Sequence, residues 1–206
     1  MADDIFGEET KSATKAVTPK PKWIPFADGE YFGHIVEVET REVNTHGGKH
    51  KATVYNCTVQ IADENCTNNY TYPWGNTSYE TGGAEYVGKK IKVRGVFRYL
   101  EPKDGDTFEA NQAGNQTFKY FCDAIGMPMI STNKEVGGEK VVVKSLPNIT
   151  ENDIIGKPII GVVGSGKPYT NKNGKEVTPK EVKFVKYWKD GSLKDTTKVT
   201  SNDIPF

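Results

Sequence analysis

The chain has 206 residues, which suits one domain with extensions, since a domain takes roughly 100 to 200 residues. Its 27 lysines and arginines are balanced by 27 aspartates and glutamates, so no global field favours a polyanion and any electrostatic partner must be met by local clustering. Cys57, Cys66 and Cys122 are an odd count with no C-x-x-C spacing, which argues against a disulfide framework or a structural zinc site and for a reducing cytosol, and no apolar run approaches the roughly 18 residues of a membrane span.

Residues 1–22, with "KSATKAVTPKPK", hold too few apolar groups to offset the entropy of ordering them, and predict a flexible N-terminal arm. The start "MADDIFGEET" has neither the basic opening nor the apolar run of a signal peptide. N-x-[ST] triplets at Asn56, Asn65, Asn69, Asn76, Asn115 and Asn148 would be glycan acceptors in a secreted protein, but the acidic start points to a cytoplasmic one. From Gly29 onward, β-branched and aromatic residues crowd six windows at 30–43, 49–62, 69–74, 89–100, 157–166 and 179–188, divided by Gly, Asn and Pro clusters; these read as strands. "NTHGGK" (44–49) and "NKNGKE" (171–176) read as hairpin turns, because Gly-Gly and Asn-Gly tolerate positive φ. A helix is predicted at about 112–125, where Phe118, Phe121, Cys122 and Ile125 recur at helical spacing and Gly126 with Pro128 ends the run. In "TENDIIGK", Thr150 followed by Asp153 is a capping pattern for a short turn that stops at Gly156.

The order strand, strand, strand, helix, strand, strand is that of the OB-fold, so the expected class is mainly β: a five-stranded Greek-key barrel with one helix between strands 3 and 4. The domain is placed at 23–190, between the arm and a flexible tail at 191–206. OB-folds bind oligonucleotides and oligosaccharides on the face of strands 2 and 3 and with the loops joining strands 1–2 and 4–5.

Catalytic patterns fail on chemistry. "GVVGSGKP" (161–168) fits G-x-x-x-x-G-K, but Pro168 replaces the magnesium-binding hydroxyl and a hairpin turn follows where a phosphate loop opens a helix. His46 and His50 are four apart in a Gly-rich loop, where that spacing does not align two rings for zinc. With three histidines, no nucleophile elbow and no clustered carboxylates, no enzyme, metal or cofactor is expected.

The cationic signal lies in "KKIKVRGVFR". Strand alternation puts Ile91, Val93, Phe97 and Tyr99 on one face and Lys90, Lys92, Arg94 and Arg98 on the other, with no acidic residue between Lys89 and Arg98. A solvated strand face tolerates such cations, but charge left uncompensated locally suits a polyanion. Between Lys157 and Lys189, eight lysines face only Glu176 and Glu181. Basic groups that track phosphate, interleaved with rings that stack on bases, suit unpaired strands. The expected nucleic-acid contacts are therefore Lys90, Lys92, Arg94 and Arg98, with Lys49 and Lys51 beside the first turn, and Tyr169, Lys172, Lys175, Lys183 and Tyr187 in the last two strands. Tyr72 and Trp74 share a face with Tyr70 in "YTYPW", which serves equally as a stacking platform or as barrel packing. Phe184 and Val182 share a face and are expected in the core.

The ending "DIPF" resembles the C-terminal tip of bacterial single-stranded-DNA-binding proteins. The body, with "GEYFGHIVEVE", "YVGKKI", "FCDAIG" and "DIIGKPIIGVV", resembles phage-encoded members of that class over about residues 29–206. The resemblance implies single-stranded DNA as partner, and replication, recombination or repair proteins recruited through Asp203, Ile204, Pro205 and Phe206 in a host bacterial cytoplasm. Pro205 restricts Ile204 to extended conformations, which lowers the cost of docking. The tip has only Asp203 where the class is strongly acidic, and residues 63–88 are longer than a strand connection needs. A homo-oligomer is compatible with these features, as are two other functions, a carbohydrate- or other ligand-binding β-barrel and a virion or adaptor protein.

Overall fold

The computed structural model describes residues 24–45, 50–74, 77–103, 107–110 and 114–194. The arm 1–22, the first turn with His46 and Lys49, and the tip Asp203–Phe206 lie outside the described residues.

The longest strand, β1 (Gly29–Thr45), pairs antiparallel with β2 (His50–Ile61) along its length, from Gly33 opposite Ile61 to Thr45 opposite His50. Two-residue alternation buries Tyr31, Gly33 and Ile35 on β1 and Tyr55, Cys57, Val59 and Ile61 on β2. Residues 63–67 form a 3-10 turn, followed by a separate ribbon of β3 (Asn69–Trp74) and β4 (Thr77–Gly82) and a second 3-10 turn at 83–86. β5 (Lys90–Lys103) returns the chain to the side of β2, and β6 (Thr107–Ala110) adds to the far end of β5.

Helix α1 (Gln116–Ala124) follows, burying Phe118, Phe121 and Cys122, and Gly126 with φ of 74° closes it. Buried Asn115 ties its start to β5, accepting from Tyr99 N at 2.6 Å and donating to Tyr99 O at 2.8 Å. A ribbon of β7 (Ile130–Val136) and β8 (Glu139–Ser145) precedes the short helix α2 (Glu151–Ile154), whose start has the expected Thr150–Asp153 capping box. β9 (Pro158–Ser165) pairs with the first six residues of β1. The expected Asn-Gly hairpin is the ribbon of β10 (Tyr169–Thr170) and β11 (Glu176–Val177), and β12 (Lys180–Tyr187) pairs with β9. The main sheet runs β12-β9-β1-β2-β5-β6.

Three expectations change. The sheet does not close into a barrel: α1 packs against both β5 and β12, and those two strands approach without sharing a ladder among the described residues. A second helix, α2, lies between β8 and β9 in addition to α1. The window 69–74 pairs only with β4, so the third long strand is β5.

The β3–β4 ribbon folds down through polar anchoring. Asn65, fully buried, accepts from Phe32 N at 3.0 Å and donates to Phe32 O at 2.6 Å and Ala62 O at 2.8 Å, which fills both ends of its amide. Gly83 rests on this corner so closely that a Cβ there would lie 1.6 Å from Asn65 O. The rings of Tyr31 and Tyr70 stack at 4.3 Å and Tyr86 meets both edge-on at 5.2 Å, so the tyrosines of the insertion belong to the core.

Candidate nucleic-acid interface

On β5 the first three cations follow the expected alternation: Ile91 and Val93 are buried, Lys92 and Arg94 exposed. At Gly95 the alternation breaks. Cys57 faces Val93 but Tyr55 faces Val96, so one extra residue of β5 is accommodated opposite Asn56. Gly95 takes φ of 70°, and its N–H donates to Asn56 Oδ1 at 3.1 Å. This is a β-bulge built on a left-handed glycine.

Beyond the bulge every side chain changes face. Val96 is buried beside Tyr55, and Arg98 turns inward. Its guanidinium lies 5.8 Å from the Phe118 ring centre and Nη1 donates to Asn148 Oδ1 at 2.8 Å. Phe97 and Tyr99, expected on the face of Ile91 and Val93, emerge on the face that carries Lys90, Lys92 and Arg94; both are half-buried, and their rings stack at 5.9 Å. Phe97 leans over Gly95, where a Cβ would meet its ring at 3.1 Å. Arg98 is thus removed from the expected cationic face, and two rings take its place. The signal that could have found them was Gly95 itself, since an isolated glycine in a strand window marks a bulge.

Neighbouring strands complete the face. Glu37, Thr58 and Lys92 stand side by side across β1, β2 and β5. Lys90 Nζ pairs with Glu37 Oε1 at 2.6 Å, so one cation is neutralised by a strand distant in sequence. The hydrogen bond from Lys90, then that from Thr58, holds the Glu37 carboxyl below its usual range. Lys92 lines a groove of about 280 Å³ with Glu37, Val38, Glu39, Asn56 and Thr58. Lys92 and Arg94 form no ion pair among the described residues.

The remaining expected contacts are dispersed. Lys51 is exposed on β2 but by register on the opposite face, next to Thr53 and Arg98. Tyr72 is buried, its ring 5.8 Å from that of Tyr79 and its hydroxyl without a partner, which excludes it as a stacking platform. Trp74 ends β3, and its side chain lies outside the described ones. Tyr169, Lys172 and Lys175 are exposed in the β10–β11 hairpin, where Asn171 Oδ1 holds the turn by accepting from the N–H groups of Asn173 and Lys175.

Three of the eight C-terminal lysines, those of β12, are held in ion pairs. Lys180 pairs with Asp28 at 2.7 Å, Lys183 with Glu181 at 2.8 Å, and Lys186 with Glu30. A second bulge, at Lys183, turns Phe184 outward, correcting its expected place in the core. Phe184 and Tyr187 flank an apolar cleft of about 470 Å³ with Tyr120.

No family model matches the chain, and no curated protein or solved structure matches it either. Among the described residues no three His, Cys, Asp or Glu side chains gather as a metal site would require, and no helix is long and apolar enough to cross a membrane. "GVVGSGKP" runs out of β9 into the turn before β10, with no helix after it. Burial pushes the Cys57 and Cys122 thiols up to about 12, which removes both as nucleophiles, while Cys66 is exposed. Residues 191–194, assigned to the tail, run back along the sheet: Lys194 N–H donates to Gly156 O at 3.0 Å and Lys194 Nζ to Gln60 Oε1 at 2.9 Å.

Proposed function

We propose that the chain is a single-stranded-DNA-binding module of OB type that uses the outer face of β2 and β5. The observation that carries this reading is the Phe97–Tyr99 stack on the same strand face as Lys92 and Arg94. Rings offer each base a flat partner whatever its identity, and unpaired cations take the intervening phosphates, which is binding without sequence readout. The order β12-β9-β1-β2-β5, with α1 between β5 and β9, supports the fold assignment, because it is the order expected of an OB barrel opened between its third and fifth strands. The module acts by coating exposed strands in replication or recombination and catalyses no reaction; Asp203–Phe206 recruits the partner proteins.

A fluorescence titration with a dT oligonucleotide at two salt concentrations tests the reading. Lys92→Ala with Arg94→Ala is expected to lower the salt slope by about 0.7 for each phosphate no longer neutralised. Phe97→Ala is expected to weaken binding by about 1 to 3 kcal/mol, roughly five- to more than a hundredfold, with the slope kept. Binding that is insensitive to salt would assign the face to sugar rings or another uncharged ligand. For the tip, deleting Ile204–Phe206 is expected to leave oligonucleotide affinity in place and abolish capture of replication or recombination proteins.

A further inference from the structure

Arg98 turns toward a cleft on the opposite side of the sheet. This cleft, of about 470 Å³, lies between the ends of β1, β2 and β5 and the segment 148–152, and is lined by Thr40, Thr53, Tyr55, Arg98, Asn148 and Glu151 among others. Arg98 is half-buried there, its guanidinium over Phe118, yet it forms no ion pair with any described carboxylate. Its Nε is enclosed and has no acceptor in hydrogen-bond geometry, and the neighbouring Tyr55 hydroxyl is neutral and supplies no counter-charge. A partly desolvated cation without a counter-charge is costly, and a bound anion offsets that cost.

The surroundings are arranged as donors. Asn148 Oδ1 accepts from Arg98 Nη1, which fixes the amide orientation and leaves the Nδ2 hydrogens as donors beside the guanidinium. Thr53 stands directly opposite Arg98 in the β2–β5 register and brings a hydroxyl to the same face. Glu151 is the carboxylate in the lining, and its Oε1 is occupied by Thr40, accepting from the hydroxyl at 2.7 Å and from the N–H at 3.1 Å. The carboxylate of α2 is thus tied to Thr40 of β1, while Arg98 and the Asn148 amide line the same cleft side by side. Planar guanidinium with adjacent N–H and O–H donors is the chemistry that recognises phosphate oxygens, and the volume is that of a small-molecule site.

We infer that this cleft is a phosphate-binding site, centred on Arg98 and Asn148, for the phosphate group of a nucleotide. It lies on the face opposite Lys92 and Arg94 and stands whether or not that face binds DNA. The phosphate can belong to a free mononucleotide or to the backbone of a strand.

The test is an NMR titration of the full chain with inorganic phosphate and with dTMP, read at the Arg98 Nε–H, Asn148 Nδ2–H and Thr53 N–H signals against matched chloride. Saturable shifts at these groups are expected at millimolar concentration. Arg98→Gln is expected to weaken the response at least tenfold. Asn148→Asp keeps the arginine and supplies its own carboxylate, and is expected to abolish the response with the fold intact, so a failure of Arg98→Gln to fold leaves the inference exposed to test. Lys92→Ala with Arg94→Ala should change nothing here. If a dT oligonucleotide displaces dTMP, the phosphate comes from the strand; if both bind together, the site serves free nucleotides. No saturable shift in the native chain, equal shifts with acetate, or full retention in Asn148→Asp would overturn the inference.

Discussion

The strands β5 and β12 look alike in sequence and differ in the fold. Each has several cations, aromatic rings and a bulge. On β12 each of Lys180, Lys183 and Lys186 has a carboxylate, two of them supplied by Asp28, just before β1, and Glu30, near its start. Among the described side chains of β5, Lys90 has one, while Lys92 and Arg94 stand without one beside the Phe97–Tyr99 stack. A local surplus of lysine is therefore not a surface charge. The strand that lies alongside decides how much of it survives.

The largest effect is expected from removing the bulge. Gly95→Val places a β-branched residue at φ of 70° with its Cβ against Phe97, and should cost on the order of 1 to 3 kcal/mol in a urea titration. It should also weaken dT binding at least as far as Phe97→Ala does, because the rings lose their face. A variant of native stability that binds normally would show that the bulge does not create the interface.

A smaller effect separates the two strands directly. Replacing Lys180, Lys183 and Lys186 together by Ala should leave the salt slope within error of wild type, since exposed ion pairs contribute about 0 to 1 kcal/mol and their charge is already matched. A fall equal to that of the Lys92 and Arg94 variant would move the interface to β12.

A modest gain sharpens the charge balance on β5. Glu37→Gln releases Lys90 and removes a negative neighbour of Lys92, and should tighten dT binding by roughly fivefold at low salt, the equivalent of about 1 kcal/mol. Because Lys90 and Thr58 hold the Glu37 carboxyl low, it stays ionised at neutral and mildly acidic pH. The advantage of the variant should be constant from pH 7 to about 5 and close only as the wild-type carboxyl protonates below the usual glutamate value of about 4.3. An advantage already lost at pH 6 would rule out this carboxylate as the cause.

Much of the fold was legible because its signals are local. The strand windows, the Phe118–Phe121–Cys122 face of α1, the Thr150–Asp153 cap and the Asn173-Gly174 turn each depend on residues within one turn or one strand of each other. The β7–β8 ribbon escaped because its described side chains are exposed and the apolar residues of β8 form one unbroken run at 141–143, so no buried stripe betrays a period of two. The candidate site was half legible: Lys92 and Arg94 lie where alternation put them, while Arg98, Phe97, Tyr99 and Phe184 lie on the faces opposite to those expected.

By itself the sequence determined the strand-rich class, the positions of most elements and the presence of cations and rings on β5, because backbone propensity and side-chain alternation act over a few residues. Only the tertiary structure decided which of those groups share a face and which keep their charge. One extra residue at Gly95 reverses all alternation after it, and the partner that accommodates it, Asn56, is 39 residues away. Glu37, which neutralises Lys90, is 53 residues away, so both decisions were made by strand pairing and by no property of β5 alone.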